Sequence, residues 1–268
     1  YLEEAETVNG ILIAQAGTGT DQIGRFDLEI DTDSNSVVSY SWKSIPITDE
    51  HCPRDTALES ILDRFKLLAE EKYSRLVTRL KRKLTHPSWY RETELGGFIA
   101  DILRESLRLD MMLVGSGSIR VSEFGPIVQF SHLMECLPYD DSAIALWVTG
   151  AQLKKMILYM LRDEVWDGSH CEFFQFSEGV RVIYDRQSHI LKEFSLYGEP
   201  IDDTKIYKIG LQYYFYLNMK DFFSVSHEEV EPNGKPRRVA TSCREVLDEY
   251  LSCHQGLDHR GSDRLQIL

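Results

Sequence analysis

Met111-Met112-Leu113-Val114-Gly115-Ser116-Gly117-Ser118-Ile119-Arg120 sets four apolar residues, a turn of small residues and an arginine in one short run. Uninterrupted apolar residues of this length read as a strand buried on both faces, because successive side chains point to opposite sides of a sheet. Gly115 and Gly117 at the tip permit a backbone to approach a ligand closely, and Arg120 just beyond can fork onto an anion. The same glycines also suit a plain connection, so the neighbouring segments decide the reading.

Outward from this strand, the pattern alternates between periods. Thr93 is placed to cap a helix through about Leu107, with Gly96 and Ala100 on one face where small residues allow close packing. Further on come a strand near Ile127 to Phe130, a short helix through His132, Leu133 and Cys136, and a strand Ile144 to Val148. A helix from Ala151 to Arg162, strands at Val180 to Tyr184, Glu193 to Leu196 and Ile206 to Leu211, and a helix Arg244 to Cys253 complete the series. Strands and helices mix without a regular βαβ rhythm, which predicts an α+β fold: a mixed sheet with flanking helices.

Upstream, Leu58, Ile61, Leu62, Phe65, Leu68, Tyr73, Leu76, Val77 and Leu80 recur at helical steps, predicting one long helix from Thr56 to about Leu84. Thr56 and Glu59 would form its capping box, and Lys81-Arg82-Lys83 would complement its C-terminal dipole. Residues 10–47 read as β-hairpins turning at Asp33-Ser34-Asn35.

Composition narrows the function. A formal net charge of -13 over 268 residues argues against a nucleic-acid polymer or an anionic membrane as partner, whereas a mononucleotide needs only one or two local cations. No stretch approaches the roughly 18 uninterrupted apolar residues of a membrane helix. The five cysteines, Cys52, Cys136, Cys171, Cys243 and Cys253, lie at wide spacing and predict free thiols and a cytoplasmic, reducing location. The eight histidines, at 51, 86, 132, 170, 189, 227, 254 and 259, show no His-x-His or His-Glu-x-x-His spacing, so no catalytic metal centre and no cofactor are expected in this chain.

Taken with Glu92-Thr93-Glu94-Leu95-Gly96-Gly97, Leu137-Pro138-Tyr139, Val148-Thr149-Gly150-Ala151-Gln152-Leu153, and Phe173-Phe174-Gln175-Phe176-Ser177, the opening stretch resembles a known series. It is similar to the C-terminal, substrate-binding domain of the 5'-nucleotidase, UDP-sugar hydrolase and 2',3'-cyclic phosphodiesterase family of metallophosphoesterases. The family patterns run E-x-x-x-G-N, N-x-G-G-I-R, L-P-F, L-T-G-x-x-L and F-x-Q-x-S, and they cover residues 85–268. Ile11 to Gly17 and Gly24-Arg25-Phe26-Asp27-Leu28 resemble the strands that close the metallophosphoesterase domain. The resemblance therefore implies that 1–50 are the last strands of a catalytic domain, 51–84 an interdomain linker helix and 85–268 the substrate-binding domain.

By motif position the resemblance also implies a nucleotide site. Tyr139 and Phe215 would sandwich the base, Asp221 would bind ribose hydroxyls, and Arg120, with Arg91, would orient the anionic end beside the Gly115 and Gly117 backbone. The chain departs from the family at Gly115, which replaces the motif asparagine, at Trp89, which replaces an arginine, and at Met219-Lys220-Asp221-Phe222, which replaces Gly-Gly-Asp-Gly. A divalent metal pair would sit in the N-terminal metallophosphoesterase domain, the natural partner of this chain. The rival readings are a non-catalytic binding module for an altered ligand and an assembly domain forming a homo-oligomer. Many relatives are exported, which sets a second location against the cytoplasmic one.

Overall fold

The computed structural model describes all residues except 1, 18, 20, 168–170 and 262. The chain divides into two compact units, Tyr1–Ala69 and Glu70–Leu268.

In the first unit, Gln22–Asp31 pairs antiparallel with Ser36–Pro46, with a bulge between Glu29 and Ile30. Asp31 makes the turn: its carboxylate accepts from the Asp33 N–H and the Ser34 hydroxyl, and Asn35 adopts the left-handed conformation that its short polar side chain tolerates. A smaller hairpin joins Glu6–Val8 to Ile11–Ile13. The helix Thr56–Tyr73 begins here. Asp55, not Thr56, is its cap, accepting from the N–H groups of Ala57 and Leu58, while Glu59 pairs with Arg54 instead of closing a capping box. Its Leu58, Ile61, Leu62, Phe65 and Leu68 lie on the predicted period and are exposed.

That helix stops at Tyr73, so the expected helix to Leu84 is corrected. Tyr73 stacks on Phe130 at 6.0 Å, and the next residues change partner and period. Leu76–Arg79 pairs with Ile127–Gln129, and Leu84–Thr85 pairs with Glu123–Phe124. Val77, Thr78 and Leu80 are buried by these pairings. The β-branched Val77 and Thr78 suit a strand, and helical spacing alone could not reveal a distant partner strand. Arg82 does not complement a helix end; it forks onto Glu94 at 2.8 and 3.0 Å and reaches Asp258, while Lys83 pairs with Glu123.

The second unit is built on a five-stranded sheet in the order Phe174–Phe176, Met111–Gly115, Ile206–Gln212, Ala143–Thr149, Arg237–Ala240. Met111–Gly115 runs parallel to Ile206–Gln212, and the other pairs are antiparallel. The sheet is therefore mixed, as the absence of a βαβ rhythm predicts. Met111 and Leu113 enter one core with helix Gly150–Met160 and a second sheet, whereas Met112 and Val114 enter the other with helices Glu94–Ser106 and Cys243–Cys253. Covering on both faces is why the central strand carries no polar alternation.

Local signals place the helices. Leu95, Phe98, Ile99, Ile102 and Leu103 form one buried stripe, and the Thr93 hydroxyl accepts from the Gly96 N–H. Thr149 and Gln152 form a reciprocal capping box, which gives the threonine of the L-T-G-x-x-L pattern a structural role. No described helix is long and apolar enough to cross a membrane.

The C-terminal tail is fastened by buried charge. Arg264, 5% exposed, forks onto Asp101 at 2.8 Å twice and donates to the Phe176 carbonyl. The Leu265 N–H donates to Glu92 at 2.8 Å, and Leu265–Ile267 adds a parallel edge strand to Val180–Asp185. Burial raises the Glu92 carboxyl to about 7. The folded state thus holds a proton that the unfolded chain releases near 4.5, so stability falls as pH rises between these values and the full cost is present above about 7. Glu92→Gln retains the acceptor for Leu265 without the titration. It is expected to exceed the parent in urea-unfolding stability at pH 8 by on the order of 3 kcal/mol and to match it near pH 4.5; equal stability at pH 8 would refute the assignment.

Candidate functional site

The turn after the central strand is a short 3-10 segment, Ser116–Ser118, held on every side. The Gly115 N–H donates to the Gln212 side chain at 3.0 Å, Ser116 N–H to the Phe173 carbonyl at 2.8 Å, and Gly117 N–H to Glu172 Oε1 at 2.7 Å. The Gln175 amide donates to the Ser116 hydroxyl and the Arg91 carbonyl, both at 2.9 Å, and its oxygen accepts from the Thr93 N–H at 3.0 Å. Gln175 and Ser116 are fully buried.

His86 belongs to the same network. Burial holds its imidazole below the ordinary histidine value, so it is neutral. Its Nε2 faces the Ser116 carbonyl at 3.2 Å and must carry the proton, which leaves Nδ1 to accept from the Thr93 hydroxyl at 2.8 Å. His86 is thus a loop support.

Beside this turn lies a cleft of about 480 Å³, lined by Gly117, Ser118, Tyr139, Asp140, Asp141, Glu172, Gln212, Tyr213, Tyr214, Phe215 and Leu217. That volume lies in the range of small-molecule sites. Tyr139 and Tyr214 present exposed rings, 64% and 57% accessible, whereas Phe215 is buried and packs edge-on to Phe174 at 4.9 Å. A Cβ on Gly115 would come within 2.2 Å of Phe215 Cζ, so only glycine admits that ring. Asp141 accepts from the Tyr214 N–H at 2.7 Å and fixes the start of the short helix Tyr213–Leu217; Asp140 is held by Ser242 and Arg244. Glu172 is mostly buried, and desolvation raises its carboxyl above the usual range against the pull of the Gly117 and Ser116 N–H groups and Arg120.

Arg120 lies beside the cleft, against Tyr139 and Gly117 of its lining. Its guanidinium lies over Trp89 at 5.1 Å and Tyr139 at 5.7 Å, spends one N–H on the Gly117 carbonyl, and makes no salt bridge to a described residue. Arg120 is not among the residues that line the cleft; with His86, Trp89 and Tyr90 it lines an adjoining recess of about 530 Å³. A cavity of about 590 Å³ on helix Gly150–Met160 carries none of the expected site residues, and its Lys154 and Lys155 already pair with Asp203 and Glu229.

The structure thus gathers Gly115, Gly117, Arg120, Tyr139 and Phe215 around one turn. Arg91 is exposed and contributes its carbonyl to Gln175; it does not line the cleft. Asp221 lies in a separate recess with Asn218, Lys220 and Ser226, because the chain turns at Asn218 into a second short helix, Met219–Phe223, instead of the expected loop. Tyr214 and Glu172 are cleft residues that sequence reasoning missed. Tyr214 adjoins a matched position, whereas Glu172 falls just before the F-x-Q-x-S pattern with no signal of its own. His170 lies outside the described residues. Among the described residues, no group of three or more His, Cys, Asp or Glu side chains could hold a metal ion.

The sequence profile of the 5'-nucleotidase, C-terminal domain matches residues 75–227, more than half of the chain, and the chain belongs to that family. An uncharacterized metallophosphoesterase of Bacillus subtilis, YunD, is 24% identical over 230 residues, covering 78% of this chain and 47% of YunD. The B. subtilis endonuclease YhcR is 29% identical over 152 residues, covering 56% of this chain and 12% of YhcR. The crystal structure of a 5'-nucleotidase precursor from Thermus thermophilus shares the fold at a TM-score of 0.68 and 19% identity, covering 96% of this chain and 52% of that one. The chain spans half or less of the curated relatives it matches.

Replacing Gln175 by leucine would leave the Thr93 N–H, the Arg91 carbonyl and the Ser116 hydroxyl buried without partners. Gln175→Leu is expected to lower urea-unfolding stability by roughly 2–4 kcal/mol; a loss under about 0.5 kcal/mol would show that the amide does not hold the turn.

Proposed function

We propose that this domain binds a nucleotide in the cleft, with the base between Tyr139 and the Tyr214–Phe215 wall and the anionic end toward Arg120. The observation that carries the reading is the juxtaposition of exposed aromatic rings with an arginine that makes no salt bridge to a described residue. Rings accept any base by its π face, and a guanidinium fork suits phosphate oxygens. Phe215 would contribute its edge as floor, and Tyr214 the exposed face. Asp221, in its separate recess, has no part in this reading.

Family membership and the metallophosphoesterase relative support a wider proposal. Joined to an N-terminal metallophosphoesterase domain with a divalent metal pair, this domain would present nucleoside monophosphates or related nucleotides for phosphoester hydrolysis. This chain's residues would bind and orient, and the metals would polarise the phosphate. The exposed apolar stripe Leu58, Ile61, Leu62 and Phe65 offers that catalytic domain a surface to cover.

Calorimetric titration of the chain with AMP, GMP, UMP and UDP-glucose tests the site. At least one is expected to bind with millimolar or tighter affinity, and Tyr139→Ala and Tyr214→Ala are each expected to weaken it roughly tenfold, the loss of one stacking ring. A folded chain silent toward all four would overturn the reading in favour of an altered ligand.

A further inference from the structure

We infer that Glu172 makes the cleft a guanine-selective site, its carboxylate accepting the paired N1–H and N2–H donors of the base. The inference rests on the nucleotide reading of the same cleft and adds the identity of the base.

Three observations converge on this carboxylate. It lines the cleft together with Tyr139, Tyr214 and Phe215. It is anchored, because Oε1 accepts from the Gly117 N–H at 2.7 Å, so its remaining lone pairs have a set direction. It also lies against the aromatic surface: a point one bond above the Gly115 backbone is 2.2 Å from Phe215 Cζ and 3.3 Å from Glu172 Oε1. The space that an asparagine side chain would take at position 115 is therefore shared by a ring and a carboxylate. An amide there would both donate and accept, whereas an ionised carboxylate only accepts.

An acceptor-only group beside the edge of a stacked base discriminates by donor pattern. Guanine alone among the common bases sets two donors side by side, N1–H and N2–H, and these fork onto a carboxylate as a guanidinium does. Adenine presents the N1 lone pair beside its amino group, cytosine the N3 lone pair, and uracil one N–H between two carbonyls; each turns at least one acceptor toward Glu172. Asp140 and Asp141 do not compete for this role. Asp141 is committed to the Tyr214 and Ser142 N–H groups, and Asp140 to Ser242 and Arg244.

Calorimetry with guanosine, inosine and adenosine on the full chain and on Glu172→Gln tests this. The parent is expected to prefer guanosine to adenosine by roughly tenfold or more, with inosine, which lacks the N2 donors, between them. In Glu172→Gln the guanosine-to-adenosine ratio is expected to fall to within about threefold. Equal affinities in the parent overturn the inference without recourse to any variant. A ratio that survives in Glu172→Gln, even with all affinities reduced together, also overturns it and assigns the carboxylate to the ribose or to the loop. Both outcomes leave nucleoside binding standing, whereas silence of the parent toward all three nucleosides removes the nucleotide reading itself.

Discussion

The Gln175 side chain is the constraint from which the cleft follows. Its amide is fully buried, and from strand Phe174–Phe176 it bonds to two other segments: the Arg91 carbonyl and Thr93 N–H at the entry to a helix, and the Ser116 hydroxyl in the turn. A buried amide that lost any of these partners would cost more than the bond it makes, so the segments are held in one arrangement. Gly96 shows how tightly this is built, since a Cβ there would come within 2.4 Å of the glutamine. The turn can then present its glycine backbone without the looseness that two glycines invite.

Electrostatics in the cleft run against the bulk of the molecule. The chain carries a formal charge of -13, yet Arg120 stands over two aromatic faces with no carboxylate in salt-bridge range among the described residues. Stacking on Trp89 and Tyr139 limits the freedom of the guanidinium and leaves its N–H groups at the rim. Glu172 supplies the opposite sign deeper in, bonded to Gly117 and influenced by the same arginine. One short turn thereby displays both a cation and a fixed acceptor beside aromatic surface.

The second stabilising device is the C-terminal clamp. Arg264 and Asp101 form a nearly buried, two-pronged pair, and the tail strand adds to Val180–Asp185. Removing one partner of such a pair leaves a charge without compensation, so the pair fixes the tail at Arg264. Glu92 sits at the same junction and lies close in sequence to Thr93, so the clamp and the loop network share the entry to one helix.

Local chemistry was legible in the sequence. Apolar continuity at Met111 to Val114 determined a strand covered on both faces, Thr93 and Thr149 determined two helix starts, and the motif series pointed to the family, because periodicity and capping depend on residues a few positions apart. The long helix to Leu84 was misread for the complementary reason: Leu76, Val77 and Leu80 fit a helical period, but a strand far along the chain, Ile127–Gln129, buries this segment instead. The site divides the same way. Arg120, Tyr139 and the glycines were named from their motifs, whereas the exposure of Tyr214, the burial of Phe215, the placement of Asp221 in a recess of its own and that of Glu172 in the cleft lining were decided only by tertiary structure. Glu172 meets Gly117 across 55 positions of chain, and no local pattern encodes a contact that exists only after the sheet has brought its two strands together.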